Sequence, residues 1–193
     1  MRLLLASGSP RRQKILSDLG LSFDVRASGV SESRHPDEAP SMFAERVARD
    51  KAMAVAEPGT VVLAADTIVV HRGVILGKPA HPTEARSMLE RLSGDRHTVV
   101  TGVAVVRTDD VTSTWCDSER TAVTFIDLTD TEIAGYIATG EPMDKAGAYG
   151  LQGTGGAFVS SIEGNPSNVV GLPMPLAVRL LRAAGVPVFG QGS

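Results

Sequence analysis

One cysteine, Cys116, is all the thiol chemistry this 193-residue chain possesses. That excludes an intrachain disulfide and any cysteine-built metal site, and it agrees with a reducing compartment, so a cytoplasmic location is expected. The histidines offer no substitute. His81 and His97 lack ligand spacing to one another and read as ordinary surface or core residues. Long apolar runs are missing as well. Leu3 to Ala6 is too short for the core of a signal peptide, and no stretch approaches the roughly 20 residues of a membrane span, so no membrane partner is expected. A basic excess is also absent: 19 Lys and Arg stand against 22 Asp and Glu, for a net charge of −3. Such a balance supplies no phosphate-tracking face, and nucleic acid is not an expected partner. Internal repeats and low-complexity tracts are lacking.

What remains is a composition typical of a globular protein, 42% hydrophobic and 21% charged. The length fits one large domain or two lobes and allows burial of about 70% of the unfolded surface. Strand and helix patterns alternate. Apolar runs at 3–6, 60–70 and 74–76 read as strands, with His71-Arg72-Gly73 as a hairpin turn before the last of them. Leu21 to Arg26 alternates loosely and reads as a further strand. The long candidates at 98–107 and 115–128 form an antiparallel pair through Thr108-Asp109-Asp110, and 158–162 adds a short strand. Helices are expected from Pro10 to Gly20, from Ser41 to Pro58, over 82–92, over 129–138 and over 176–184. The segment 165–173 reads as turn-rich, and Gly190 to Ser193 as frayed.

The first dozen residues carry an anomaly. Leu3 to Ala6 is followed by Ser7-Gly8-Ser9-Pro10-Arg11-Arg12, where Ser9 and Pro10 suit the N-cap and first position of a helix, with the Ser9 hydroxyl accepting an orphan N–H. Arg11 and Arg12 then sit in the first turn, where the helix dipole disfavours cations by about 0.3–1 kcal/mol each. A bound anion would reverse that sign, since free N–H groups, two hydroxyls and two guanidiniums together make a phosphate site. A solvated helix start that happens to carry arginines accounts for the same letters.

Asp66 is the most informative single residue. It interrupts a run, Val61 to Val70, that is apolar on both faces and so reads as a central strand. A carboxylate there must be paired, hydrogen-bonded or metal-bound, because an unpaired buried charge is very costly. Either a structural pairing or a functional role meets that requirement. Elsewhere the polar residues at element ends are Ser7, Ser9, Arg11, Arg12, Glu32, Lys51, Lys78, Lys145 and Gln152. Glu32 falls in a polar loop, Lys51 on a helix where lysines are ordinarily solvated, and Lys78 in the tight Gly77-Lys78-Pro79 loop. Gln152 ends a glycine-rich stretch from Gly140 to Gly153 that would let backbone approach a ligand closely. Two carboxylates to hold a divalent cation, with several cations to clamp polyphosphate, is the inventory of metal-assisted phosphoryl chemistry.

Ser-Gly-Ser-Pro-Arg-Arg at 7–12, Ala-Asp-Thr-Ile-Val at 65–69, Gly-Lys-Pro at 77–79, Asp-Lys-Ala-Gly-Ala-Tyr-Gly-Leu-Gln-Gly at 144–153 and Asn-Val-Val-Gly-Leu-Pro at 168–173 together resemble the Maf family. Its members are nucleoside triphosphate pyrophosphatases also described as septum-formation inhibitors. The resemblance runs in order along nearly the full chain. It implies one Maf-like domain over 1–193 with an α/β fold, an elongated mixed sheet in two lobes about a central cleft, like inosine triphosphate pyrophosphatases of the Ham1 type. A divalent cation (Mg²⁺, Mn²⁺ or Co²⁺), a cytoplasmic home and a homodimer follow from it. By position, Asp66 matches the catalytic proton acceptor and, with Glu32, the metal-holding carboxylates. Arg12, Lys51 and Lys78 match phosphate clamps, with Ser7 and Ser9 lining the same site. Arg11, Thr67 and Gln152 match the positions that separate subfamilies, and read as in the branch acting on dTTP and UTP, with modified pyrimidine nucleotides fitting the same reading. The branch acting on 7-methyl-GTP carries Trp, Gln and Glu there. A non-catalytic, nucleotide-binding regulator of septum formation is the rival from another class; it would be expected to lack the carboxylates that this chain retains.

Overall fold

A computed structural model describes residues 1–189, so the expectation of fraying at Gly190–Ser193 lies outside the described residues. The elements, in chain order, are β1 (Arg2–Leu5), α1 (Pro10–Asp18), β2 (Asp24–Val25), α2 (Pro40–Met53), β3 (Thr60–His71), β4 (Val74–Leu76), α3 (Pro82–Leu92), β5 (Arg96–Thr108), β6 (Thr112–Phe125), α4 (Asp130–Ala138), β7 (Val159–Glu163), α5 (Pro166–Val170) and α6 (Met174–Ala183). The architecture is α/β, as the alternation of patterns implies. Among the described residues no helix is long and apolar enough to cross a membrane.

The chain divides into two compact units. The first comprises Met1–Asp66, Thr101–Glu119 and the chain from Gly171 onward. Its strands run in the order β2-β1-β3-β5-β6, with β1 parallel to both β2 and β3 and Leu5 opposite Leu63. Parallel neighbours require coverage on both faces, which explains why β3 is apolar without alternation. Leu4, Val62, Ala64, Ala104 and Val106 pack with Ala48 and Ala52 of α2 into one core. Fully burying a Val or Leu side chain contributes about 1.5–3 kcal/mol, so this face holds α2 firmly on the strands. The contact is close enough to demand glycine: a Cβ at Gly102 would collide with the backbone of Ala44.

The second unit comprises Thr67–Val100 and Arg120–Val170. Here β4 returns antiparallel to β3, with His71 opposite Val74. Arg72 and Gly73 both adopt positive φ (48° and 79°), the conformation a two-residue hairpin requires. The connection from β5 to β6 spans only Asp109–Val111, too short for a parallel crossover, so the pair is antiparallel as expected. A second core gathers Val69, Leu89, Leu92, Val123, Phe125, Ile133, Tyr136, Tyr149 and Phe158. The α4 start is a full capping box between Thr129 and Glu132.

Three local expectations are corrected. Ser9 is the N-cap residue of α1, but its side chain makes no capping hydrogen bond; its N–H instead donates to Ser7 Oγ at 3.3 Å. Helix α2 starts at Pro40 with Ala39 as N-cap, one residue before Ser41, since proline suits a first turn whose N–H groups are unpaired anyway. The turn-rich segment after Asn165 contains a short helix, α5, opened by the Asn165 side chain, which accepts from the N–H of Ser167 at 2.9 Å.

Candidate active site

The first unit assembles a charged cluster on its buried strand. Asp66, only 5% exposed on β3, faces Lys51 of α2, whose Nζ donates to Asp66 Oδ1 at 2.7 Å and to Glu32 Oε1 at 2.6 Å. Lys51 is 8% exposed, so the solvated lysine expected of an isolated helical position is not what the fold contains. It lies in the last turn of α2, where the negative end of the helix dipole favours a cation. Burial pushes the Asp66 carboxyl up; the Lys51 charge and hydrogen bond pull it back, Glu32 raises it, and Arg12 lowers it. A buried carboxylate balanced between these influences is a group able to take up and release a proton.

Arg12, on the first turn of α1, donates from Nε to the Gly171 carbonyl at 2.7 Å and from Nη1 to Ser7 Oγ at 3.2 Å. Burial depresses its pKa, while Asp66 and Glu32 favour its charge and Arg11 opposes it. Ser7, Ser9, Arg12, Glu32, Lys51 and Asp66 therefore share one unit and, through Lys51 and Arg12, one electrostatic field. Ser7 is buried beneath Arg12 and collects both its guanidinium and the Ser9 N–H.

Arg11 also lies in the first unit, beside Arg12 in the first turn of α1; the remaining candidates belong to the second unit. Thr67 follows Asp66 directly on β3. Lys78 is exposed in the loop after β4, and that loop is pinned by the Gly147 N–H donating to the Gly77 carbonyl at 3.0 Å. Gly147 has φ +68° and sits against the Val69 side chain, a conformation and a closeness that both call for glycine. Gln152 is exposed in the glycine-rich loop.

Two anchoring groups escaped the sequence. The loop bearing Glu32 has no regular structure from Arg26 to Ala39 and is tied by Arg46 of α2. Its Nε and Nη2 grip Glu38 at 2.7 and 2.9 Å, Nη2 also reaches the Ser33 carbonyl at 2.9 Å, and the guanidinium lies 5.5 Å from the centroid of the Phe43 ring. Arg46 holds the Glu38 carboxyl down to about 2. In the second unit, Glu141 collects donors from the glycine-rich loop. The only available signal was the wealth of charge in an otherwise polar loop and one acidic residue opening a glycine-rich one.

The donor set suits a hard divalent cation. Asp66 and Glu32 offer carboxylate oxygens, and an ammonium already sits on both, so positive charge is favoured there. Among the described residues no three His, Cys, Asp or Glu side chains gather as a metal site; a Mg²⁺-like ion bound by one or two carboxylates completes its shell with water and phosphate oxygens.

A buried carboxylate–lysine–arginine cluster beside a helix N-terminus, on an α/β scaffold, defines the class of proteins equipped to handle anionic ligands together with cations. The family model described as Maf-like protein matches residues 2–184, and the chain belongs to the Maf family. A dTTP/UTP pyrophosphatase of Anaeromyxobacter dehalogenans (strain 2CP-C) is 53% identical over 97% of this chain and 96% of its own length. Proteins of the same name from Symbiobacterium thermophilum and Myxococcus xanthus are 48% and 47% identical, covering 100% and 99% of this chain and 98% and 96% of their own lengths. Among solved structures, a nucleoside-triphosphatase (dITP/XTP pyrophosphatase) from Mycobacterium abscessus aligns over 96% of this chain and 97% of its own, with 16% identity and a TM-score of 0.42.

Proposed function

We propose that this chain is a nucleoside triphosphate pyrophosphatase that hydrolyses dTTP and UTP to the nucleoside monophosphate and pyrophosphate. The observation that carries this is near-full-length identity of about half to proteins bearing that name. The Asp66 cluster supplies matching chemistry.

Water attacks the α-phosphorus and the bond to the bridging oxygen of the β-phosphate breaks, with pyrophosphate leaving. Asp66 accepts the proton from the water, a task suited to a carboxylate whose pKa burial has raised. Asp66 and Glu32 would hold the divalent cation, Mg²⁺, Mn²⁺ or Co²⁺. When bound, such an ion neutralises phosphate charge and lowers the pKa of water. Arg12, Lys51 and Lys78 clamp phosphate oxygens, with Ser7 and Ser9 lining the site, and Arg12 is held ready by Gly171 and Ser7. Lys51 exchanges a carboxylate for a phosphate oxygen as substrate arrives. Arg11, Thr67 and Gln152 set the preference for pyrimidines, modified ones included. The same reading makes the chain a single two-lobed Maf domain, a homodimer and a cytoplasmic enzyme of nucleotide-pool house-cleaning.

The test is pyrophosphate release from dTTP, UTP, CTP, GTP, 7-methyl-GTP and 5-methyl-UTP, with Mg²⁺ and with chelator. Metal-dependent turnover of dTTP and UTP with 7-methyl-GTP idle is the expected result. Turnover of 7-methyl-GTP alone would overturn the base assignment, and silence across the panel from folded protein would favour a nucleotide-binding regulator.

A further inference from the structure

The loop carrying Gln152 is built around one carboxylate. Glu141 accepts the Thr154 N–H at 2.9 Å on Oε2, and the Gly155 N–H at 3.3 Å and the Tyr136 hydroxyl at 2.9 Å on Oε1. The Tyr136 oxygen in turn accepts the Gly150 N–H at 3.3 Å. Residues on both sides of Gln152 are thus tied to a single pair, Glu141 and Tyr136. Tyr136 is 2% exposed, locked into the second core against Phe158 with ring centroids 5.0 Å apart. Glu141 itself is placed by the Lys145 ammonium, which donates to its carbonyl at 2.7 Å.

The glycines report the same closeness. A Cβ at Gly153 would land on the Glu141 carboxylate, and one at Gly155 on the Tyr136 hydroxyl. The backbone at Gly153 and Gly155 therefore lies directly against these two side chains, with no space for a Cβ at either position. A loop held at three backbone N–H groups, those of Gly150, Thr154 and Gly155, by charge-assisted and buried hydrogen bonds is preorganised.

We propose that Glu141, acting with Tyr136, is the positioning residue that fixes the Gln152 loop and thereby sets which base the enzyme accepts. This rests on Gln152 meeting the base. Glu141 touches no substrate; its effect passes through the loop backbone. Replacing the carboxylate by the isosteric amide leaves one acceptor oxygen and turns an NH₂ toward a donor. Either Thr154 N–H or the Gly155 and Tyr136 donors then lose their partner, so the loop shifts while side-chain volume is kept.

The experiment compares Glu141→Gln, Tyr136→Phe, Gln152→Ala and Glu141→Gln/Gln152→Ala by kcat and KM for dTTP, UTP and CTP. Folding is checked by thermal melting. A displacement of about 1 Å costs up to roughly a hundredfold where geometry decides; the expected effect is an approximately tenfold compression of the dTTP-over-CTP ratio in Glu141→Gln and Gln152→Ala. The change lies mainly in KM for dTTP, and the double variant is no less selective than Gln152→Ala alone. Tyr136→Phe, which keeps the ring in the core, moves selectivity in the same direction. If Gln152→Ala compresses the ratio while Glu141→Gln and Tyr136→Phe lower all three substrates equally, the positioning role is wrong and the Gln152 reading stands. If Gln152→Ala leaves the ratio intact, the Gln152 reading falls, and the proposal with it.

Discussion

Arg46 grips Glu38 through both carboxylate oxygens and, with the same guanidinium, holds the carbonyl of Ser33, the residue after Glu32. A loop without regular structure is thereby given one conformation, and Glu32 is delivered to Lys51. Arg46→Lys keeps the charge but not the two-pronged grip. It should loosen residues 29–38 locally, read as faster amide exchange confined to that segment. The concentration of Mg²⁺ needed for half-maximal activity should rise with it. Unchanged exchange would remove Arg46 as the organiser of the loop.

Asp66→Asn tests the proton acceptor. The amide preserves shape and can still accept the Lys51 hydrogen bond, so the fold should persist. Turnover of dTTP should fall by about 10²–10⁴, the usual worth of a positioned general base. Near-normal rates from this variant would take Asp66 out of the reaction.

Lys51→Met removes the ammonium that shields Asp66. Breaking a buried pair from one side costs about 3–5 kcal/mol, partly relieved when Asp66 takes up a proton. The sign follows from the causes. Lys51 lowers the Asp66 pKa by charge and by hydrogen bond, so its loss raises that pKa further, and the catalytic carboxylate form survives only at higher pH. The acid limb of kcat/KM should therefore move to higher pH in the variant. An unmoved limb would show that another group controls it.

His97 predicts an acid-sensitive stability. Its ring is 2% exposed, with Nε2 at 2.8 Å from the Tyr149 hydroxyl and Nδ1 without a hydrogen-bond partner among the described residues. Burial, and secondarily the nearby His71, lower its pKa to about 4. The unfolded chain binds this proton near pH 6.5 and the folded chain does not. Stability is thus intact above about 6.5 and declines as pH falls toward 4, by on the order of 3 kcal/mol in total. Urea titrations at pH 7, 5.5 and 4.5, with an NMR titration of the ring, measure it. Asp95, held down to about 2 chiefly by its hydrogen bond from His71, acts only in the window below its ordinary value of 3.8. A flat stability between pH 7 and 4.5 would contradict the buried neutral ring.

Chelation supplies the remaining test. Removal of divalent ions should abolish pyrophosphate release while leaving the melting temperature nearly unchanged, because Lys51 already compensates both carboxylates. A large fall in melting temperature on chelation would mean that the fold depends on the ion.

Periodicity made the scaffold readable. The apolar run around Asp66 identified a central strand, and the cost of a lone buried carboxylate flagged that residue before any partner was visible. The partner was not readable, because Lys51 reaches Asp66 only once α2 lies on β3, a contact set by small side chains such as Ala48 and Ala52. Lys51 on the sequence looks like any solvated helical lysine. Arg46 and Glu38 were hidden for a similar reason: a charged pair spanning a loop leaves no period. Ser9 misled in the opposite direction, since a good N-cap letter stands there while the hydroxyl makes no capping bond. Glu141 lay in full view at the start of the glycine-rich stretch, yet its glycines suggest room for a ligand when two around Gln152, Gly153 and Gly155, make room for Glu141 and Tyr136.

Asp66 and Thr67 are consecutive on β3, whose alignment is fixed by Leu5 standing opposite Leu63. Adjacent residues on a strand project to opposite faces, and a slip of one position exchanges them. A single inserted codon between those for Leu63 and Asp66 would therefore put Ala65 in place of the carboxylate and turn Asp66 to the opposite face. Reading-frame-preserving insertions should be lethal to activity in this short interval even where the sheet tolerates them. On the proposed reading, chemistry and base choice along this strand would stand one peptide bond apart, kept on opposite faces by strand pairing.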